Sequence, residues 1–262
     1  EKLKASGMDK GKASIEAISH YAVEAAILKV YGSEALDYVI DEAVQIHGGM
    51  GYSAEMSVER GYRDSRINRI FEGTNEINRL LVVDTAMKRA MKGDFDLFGK
   101  ADALIADIDN LTDHKKEGES WFEEKLRNIR NFKNLILIVL QGASKHFDKK
   151  LVTEQEVLNN LTDMIMETYL AESLALRIRK MESLNGTAQT DVYHKILDTF
   201  VYDAADKIRK PAFDAINSFA DAVSTPKFSH AVETLTDVAG INVKEARRVI
   251  AGKLIEDNSY KF

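Results

Sequence analysis

The chain contains 262 residues, of which 45% are hydrophobic and 30% are charged, and its formal net charge is −6. This mildly acidic composition argues against a nucleic-acid-binding protein, and the absence of cysteine excludes disulfides and thiolate metal sites. With only 2 prolines and abundant Ala, Leu, Lys and Glu, the composition favours helix. The longest apolar run, Leu135 to Leu140, is too short to span a bilayer.

The first predicted elements are two helices separated by a glycine. Apolar residues at helical spacing predict a helix over residues 12–31, which Gly32 is placed to end. Ser33 is suited to cap a second helix, and Gly48 is suited to end it. Residues 48–56 are then expected to form a glycine-rich loop.

A third and a fourth helix follow, joined by a short connector. Ser57 is the expected cap of the third helix, which runs to about Arg69. At the end of the connector Phe71–Thr74, the threonine is a good N-cap for a helix whose apolar residues continue to Met91. The next segment, Gly93–Lys100, is the predicted domain boundary because two glycines bracket an acidic and aromatic loop.

The remainder of the chain has the pattern of helices joined by short loops. Predicted helices cover residues 101–111, 118–147, about 154–180 and 190–209, and a last helix is capped at Asn242. Thr153 and Glu156 resemble a capping box, and Pro211 is expected to end the helix before it. The sequence therefore predicts an all-α fold, with one helical bundle over residues 1–95 and a second, antiparallel helical bundle over residues 96–262.

Several common kinds of site are not indicated. The six histidines are scattered, without a pair spaced for one helix face, so no metal site is predicted. There is neither a hydrolase-type nucleophile turn nor a phosphate-binding glycine loop ending in Lys. Arginines recur at every third residue from Arg60 to Arg69, and Glu59 and Asp64 offer them local partners, which favours a salt-bridged exposed helix.

Two short motifs remain as candidate sites. The stretch QIHGGMGY, Gln45 to Tyr52, is most simply a helix stop and a tight turn. Its backbone, free of side chains, could also approach a phosphate or a planar ring, with Gln45 and His47 as flanking donors. Glu72 lies on the connector beside Gly73. In isolation it is most simply a capping carboxylate, and the alternative is a general base facing an apolar cleft.

Taken together, the motifs resemble those of a known family. The segments QIHGGMGY, VERGYRDSRI and RIFEGTNEINRL, in this order and spacing, resemble the C-terminal domain of acyl-CoA dehydrogenases. The resemblance is specific over about Ala35 to Val83. Further along, the helical region is similar to the C-terminal extension of the very-long-chain branch, and the form RIFEGTN also favours that branch.

This resemblance implies a flavoprotein that uses FAD to desaturate a long-chain acyl-CoA thioester between Cα and Cβ in fatty acid β-oxidation. The family's usual base is the Glu of its Phe-Glu-Gly-Thr motif, here Glu72. It removes the Cα proton while the Cβ hydrogen leaves as hydride to the flavin N5. That chemistry requires a carboxylate in a dry pocket. In the family the backbone N–H of the base also donates to the thioester oxygen, so Glu72 has two implied roles.

The remaining site residues follow from the same resemblance. Gly73 is expected to lie against the acyl-CoA. The family's Q-x-x-G-G segment contacts the ADP part of the FAD of the neighbouring subunit, and it is matched here by Gln45, Ile46, His47, Gly48 and Gly49. The segment after the base contacts FAD at a helix N-terminus, a natural anion site, and it is matched by Thr74, Asn75 and Glu76.

Partners and missing parts are implied as well. The partners are electron-transferring flavoprotein and further copies of the chain in a dimer or tetramer. The location is the bacterial cytoplasm or the mitochondrial matrix, with peripheral membrane association in the very-long-chain branch. The chain begins at Glu1 and lacks the family's N-terminal helical and middle β-domains. We therefore expect a piece of a longer polypeptide that is inactive alone and binds FAD weakly or not at all.

Three alternatives stay open. The region from about residue 100 could be a helical dimerisation or membrane-interaction module, for which Lys145, Lys149 and Lys150 beside Phe147 form a weak basic patch. The chain could instead belong to an acyl-CoA oxidase, which has much the same motifs. A purely structural helical bundle with an accidental motif similarity is the third alternative.

Overall fold

The computed structural model describes residues 5–112, 115, 117–186, 190–260 and 262. These residues form helices, turns and irregular segments and contain no strand, which confirms the predicted all-α fold class. The chain divides into two compact units, residues 1–95 and residues 96–262. Within the described ranges, no helix is both long enough and apolar enough to cross a membrane.

The first unit is built around one long helix. Its helices are α1 (Lys10–His20), α2 (Ala22–His47), α3 (Ser57–Arg66) and α4 (Asn75–Met91), with 3-10 turns at Gly48–Tyr52 and Ile67–Arg69. Helix α2 packs against both α3 and α4. Its core residues Ile27 and Val30 are fully buried, as are Val82 and Val83 of α4. The connector Phe71–Thr74 therefore joins two elements that pack on the same helix.

The predicted helix break at Gly32 and Ser33 is wrong, because α2 continues through both residues. The interruption between helices lies at Tyr21 instead, between α1 and α2. A glycine inside a helix costs only about 1 kcal/mol relative to alanine, less than the burial of one large apolar side chain contributes. The hydroxyl of Ser33 caps nothing and donates to the carbonyl of Val30 at 2.9 Å. Ser57 is the first residue of α3 rather than its cap, which is Met56.

The second unit contains six helices among its described residues. They are α5 (Leu97–Ala106), α6 (Trp121–Phe147), α7 (Gln155–Asn185), α8 (Asp191–Phe219), α9 (Thr225–Leu235) and α10 (Val243–Asp257). The three longest, α6, α7 and α8, pack against one another. Large side chains such as Phe132, Leu161 and Ile208, one from each, are fully buried. This is the antiparallel bundle that the sequence predicts.

Tertiary packing overrides a local signal at Pro211, which does not end α8. The helix continues to Phe219, and Ala212, Ala215 and Ile216 after the proline are completely buried. Proline removes one backbone hydrogen bond and kinks a helix, at a cost of about 3 kcal/mol. The burial of the following turns offsets that cost.

The helix caps of the second unit are partly those predicted. The capping box is formed by Ser120 and Glu123 at the start of α6, whereas Thr153 donates back to the Lys150 carbonyl and α7 has no side-chain cap. Asp96 caps α5 inside the segment predicted to be a loop. The predicted cap at Asn242 is confirmed, since its side chain accepts from the Glu245 amide at 3.2 Å.

Candidate functional site

The connector carries two consecutive residues in the left-handed region. Glu72 has φ +56° and Gly73 has φ +83°. For a residue with a side chain this conformation costs roughly 1–2 kcal/mol, so the surroundings must hold Glu72 in place. The Glu72 side chain is exposed, and among the described residues no acceptor takes its backbone amide proton. The connector thus presents an exposed carboxylate and a backbone N–H without an acceptor among the described residues.

Side chains from α2 and α4 hold the connector. Lys29 Nζ donates to the Gly73 carbonyl at 2.7 Å and to Asn75 Oδ1 at 2.7 Å. Asn78 Nδ2 donates to the same Gly73 carbonyl at 2.9 Å and to the Thr74 carbonyl at 3.0 Å. A Cβ atom added to Gly73 would lie 3.0 Å from Asn78 Nδ2, a tight approach that adds to the strain of a side chain at φ +83°. Both the position and the conformation of the connector are fixed by this set of bonds.

Asn75 is the centre of the buried part of this network. Its side chain is 1% exposed and donates to Ser33 Oγ at 2.9 Å and to Glu34 Oε1 at 3.1 Å. Arg79 binds both carboxylate oxygens of Glu34, at 2.7 and 3.0 Å. Burial by itself raises the pKa of Glu34, but the hydrogen bonds and charge of Arg79, with the Asn75 amide, outweigh it and hold the pKa below its ordinary value.

The lowered pKa of Glu34 makes the stability of the first unit depend on pH. A carboxylate with a depressed folded pKa contributes stability above its unfolded pKa and loses it as the pH falls through the folded value. We expect Glu34→Gln to cost about 1 kcal/mol at pH 7, discounted for the partly exposed pair. The difference between variant and wild type should begin to shrink below about pH 4, the ordinary range of glutamate, and vanish once the pH has fallen through the lower folded pKa. Urea unfolding followed by circular dichroism measures this, and a difference independent of pH would contradict it.

The start of α4 confirms the predicted cap and already holds a carboxylate. Thr74 Oγ1 accepts from the Ile77 amide at 3.3 Å. The pKa of Glu76 lies below its ordinary value because its own backbone amide and the Thr74 hydroxyl donate to it. Any further anion at this helix N-terminus would therefore meet the Glu76 carboxylate.

The three glycines of the glycine-rich loop differ in whether the structure of this chain requires glycine at their positions. Gly48, at φ +60°, ends α2 as predicted. Gly51 is buried, and a Cβ atom there would lie 2.6 Å from the Val44 carbonyl oxygen. Gly49 has no left-handed φ and no atom within 4 Å of an added Cβ. Neither backbone conformation nor packing within this chain requires glycine at that position.

The residues just before the loop all point into open space. Gln45, Ile46 and His47 are exposed, with Ile46 at 81%. His47 Nδ1 donates to the Ala43 carbonyl at 2.8 Å, which leaves Nε2 available to an outside group. The end of α2, the loop and α3 also line an open cleft of about 510 Å³, beside which Arg63 pairs with Glu59 at 2.7 Å as predicted.

The structure does not bring the two predicted sites together. Lys29 bonds to the connector and Ser33 to Asn75 beside it, whereas the loop begins at Gly48, so the two groups lie roughly 22–28 Å apart along the helix, at 1.5 Å per residue. Five residues of the network were not predicted as site residues from the sequence: Lys29, Ser33, Glu34, Asn78 and Arg79. The available signal was the i, i+4 spacing of Lys29 and Ser33 beside the core stripe of α2.

Comparisons with known proteins agree with the motifs. Residues 4–87 and residues 131–225 each match a family described as acyl-CoA dehydrogenase, C-terminal domain. A probable acyl-CoA dehydrogenase of Bacillus subtilis (strain 168) is 38% identical over 259 residues, 98% of this chain and 43% of the relative. The human mitochondrial very long-chain specific acyl-CoA dehydrogenase is 34% identical over 72% of this chain and 32% of the relative.

A solved structure shows the same fold over the whole chain. The crystal structure of an acyl-CoA dehydrogenase complexed with FAD from Bacillus anthracis has a TM-score of 0.93 and 35% identity, covering 100% of this chain and 45% of that one. The chain thus spans less than half the length of these relatives. By its motifs, its fold and these matches, the chain belongs to the acyl-CoA dehydrogenase family, to whose C-terminal domains it corresponds.

Proposed function

We propose that this chain is the base-bearing, C-terminal part of an FAD-dependent acyl-CoA dehydrogenase that introduces a double bond between Cα and Cβ of long-chain acyl-CoA thioesters in fatty acid β-oxidation. The observation that carries the proposal is the left-handed Glu72, held outward on a connector fixed by Lys29 and Asn78. A cap at a helix end does not require such strain, whereas strained residues held by their surroundings cluster at functional sites, where a general base must be positioned. Similarity to the relatives supports the same assignment.

In the proposed reaction Glu72 accepts the Cα proton, and its backbone N–H donates to the thioester oxygen, which acidifies that proton. Bound FAD would supply the hydride acceptor, which takes up the Cβ hydrogen as one proton and two electrons. Phe71 and Ile77 flank the base in sequence and are exposed, offering apolar surface to an acyl chain. Since Glu72 is exposed, the dry surroundings that its chemistry needs must come from substrate, cofactor and further protein.

The residues assigned to FAD fit the cofactor in different ways. The open surface of Gly49 suits close approach of a nucleotide, and exposed Gln45 and His47 supply polar groups beside it. At the other segment the Asn75 side chain is buried, so a cofactor contact there is through the backbone, with Thr74 and Glu76 exposed enough to take part. The separation of the two segments along α2 favours contacts with two different FAD molecules, and hence a homo-oligomer.

Gly49 and Gly51 make a matched pair for this assignment. Gly51→Ala should destabilise the first unit by about 1–3 kcal/mol because its Cβ would collide with the Val44 carbonyl. Gly49→Ala should change stability by less than about 0.5 kcal/mol, since nothing surrounds its Cβ. In the complete polypeptide that contains this chain, Gly49→Ala should nevertheless retain less FAD after gel filtration. Full flavin content in Gly49→Ala would remove the loop from the cofactor site.

The reaction itself is tested on the complete polypeptide containing this chain. Anaerobic addition of saturated acyl-CoA of short, medium or long chain should bleach the flavin absorption, with a product two hydrogens lighter by mass spectrometry. Absence of bleaching at every chain length would refute the proposed reaction. Reoxidation by electron-transferring flavoprotein but not by oxygen then separates a dehydrogenase from an acyl-CoA oxidase.

A further inference from the structure

Lys29 lies on α2, far from the connector in sequence, yet its ammonium group bonds to the connector directly. Nζ lies 2.7 Å from the Gly73 carbonyl oxygen and 2.7 Å from Asn75 Oδ1. We infer that Lys29 is a positioning residue that holds the connector in its left-handed conformation and thereby places the Glu72 carboxylate and N–H. This inference rests on the proposed function only for its catalytic consequence.

The chemistry of the two bonds explains why a lysine is required. An ammonium group has three donors and no acceptor, and a charged donor forms a stronger bond to a neutral oxygen than a neutral donor does. With Asn78 Nδ2 as second donor at 2.9 Å, both lone pairs of the Gly73 carbonyl are used. The orientation of that carbonyl sets the peptide plane that follows Gly73, the residue immediately after the base.

The second bond connects the connector to the buried network. Asn75 Oδ1 accepts from Lys29, and its Nδ2 donates to Ser33 Oγ and Glu34 Oε1, so the amide has a single favourable orientation. Glu34 is held in turn by Arg79. Lys29 therefore joins the strained backbone on one side to a fixed, buried side chain on the other. Loss of the ammonium group removes the link between them.

Hydrogen exchange of the chain itself tests the positioning role. Lys29→Met should speed amide exchange of peptides spanning residues 71–78 by roughly ten- to a hundred-fold, the effect of losing hydrogen bonds from a charged donor. Lys88→Met is the matched control, because Lys88 forms an exposed pair with Asp84 at 2.7 Å and should leave these peptides unchanged. Unchanged exchange in Lys29→Met, with its circular dichroism intact, would overturn the inference.

The absence of cysteine permits a specific rescue. Lys29→Cys can be alkylated in the unfolded chain with bromoethylamine, which restores an ammonium group at nearly the original reach, or with iodoacetamide, which restores bulk without charge. Slow exchange should return only after aminoethylation. If both adducts behave alike, the ammonium group is not what holds the connector. This comparison also decides the case if Lys29→Met fails to fold.

Kinetics of the complete polypeptide separate this inference from the proposed function. Lys29→Met should lower kcat by roughly ten- to a hundred-fold while KM changes less than about two-fold, since the base and not the substrate contact is displaced. If Glu72→Gln abolishes turnover and Lys29→Met leaves kcat intact, the positioning role is refuted and the proposed function stands. If Glu72→Gln is fully active, the proposed function fails, and the exchange experiments still decide whether Lys29 holds the connector.

Discussion

Glu72→Gln should reduce the rate of acyl-CoA desaturation by the complete polypeptide by at least about 10³-fold, because glutamine cannot accept the Cα proton. The amide is nearly isosteric, and Glu72 is exposed and free of side-chain packing demands, so fold and flavin content should be unchanged. Rapid-mixing measurement of flavin reduction by substrate isolates the step in which the proton leaves. Near wild-type flavin reduction would show that Glu72 is not the base.

Glu76→Gln is the control for this experiment. Glu76 is also exposed and lies four residues after Glu72, in the first turn of α4. Its carboxylate is engaged by its own amide and by Thr74, with a pKa below the ordinary value, and is thus a poor proton acceptor. We expect a loss of less than about tenfold, arising from a weakened helix start and cofactor contact. Equal losses in both variants would point to a general effect of negative charge near the connector.

The two motifs could be read from the sequence because their physics is local. A glycine with positive φ ends α2 at Gly48, and a threonine side chain caps α4 three residues before the amide that it accepts from. Both signals depend on neighbours within one turn of helix. The strain at Glu72 could not be read in this way. It is stabilised by Lys29, 43 residues earlier; the i, i+4 spacing of Lys29 and Ser33 marks one face of α2, but no local pattern identifies the segment which that face contacts.

The errors at Gly32 and Pro211 have the same origin. Relative to alanine, glycine disfavours a continuous helix by about 1 kcal/mol and proline by about 3 kcal/mol. After Pro211 the helix carries completely buried side chains such as Ile216, and their summed burial exceeds the cost of the proline. Among the described residues of α2 after Gly32, the only buried side chain is Ser33, and the small cost of the glycine is offset by the packing of α2 against both α3 and α4. Propensity therefore placed the helices correctly but misplaced the boundaries where tertiary packing continues across a breaker.

In the second unit, Arg127→Met should destabilise the bundle by about 3–5 kcal/mol, the cost of removing one partner from a buried ion pair. Arg127 Nε donates to Glu119 at 3.0 Å, and the two side chains are only 8% and 9% exposed. The change leaves a carboxylate in a poorly solvated position, beside the Ser120 cap that starts α6. Unfolding is followed by the fluorescence of Trp121, the single tryptophan, which reports this unit without interference from the first.

The free energy of unfolding of a double variant shows whether the ion pair itself stabilises the bundle or could be replaced by apolar side chains. Replacing both partners, Arg127→Met with Glu119→Leu, removes the unpaired charge and should recover at least half of the loss, because apolar side chains of similar volume often replace a buried ion pair without cost. If the double variant is as unstable as Arg127→Met, the arginine acts mainly through contacts other than this ion pair. If Arg127→Met costs less than about 1 kcal/mol, water reaches the pair, which then behaves as a solvent-exposed ion pair.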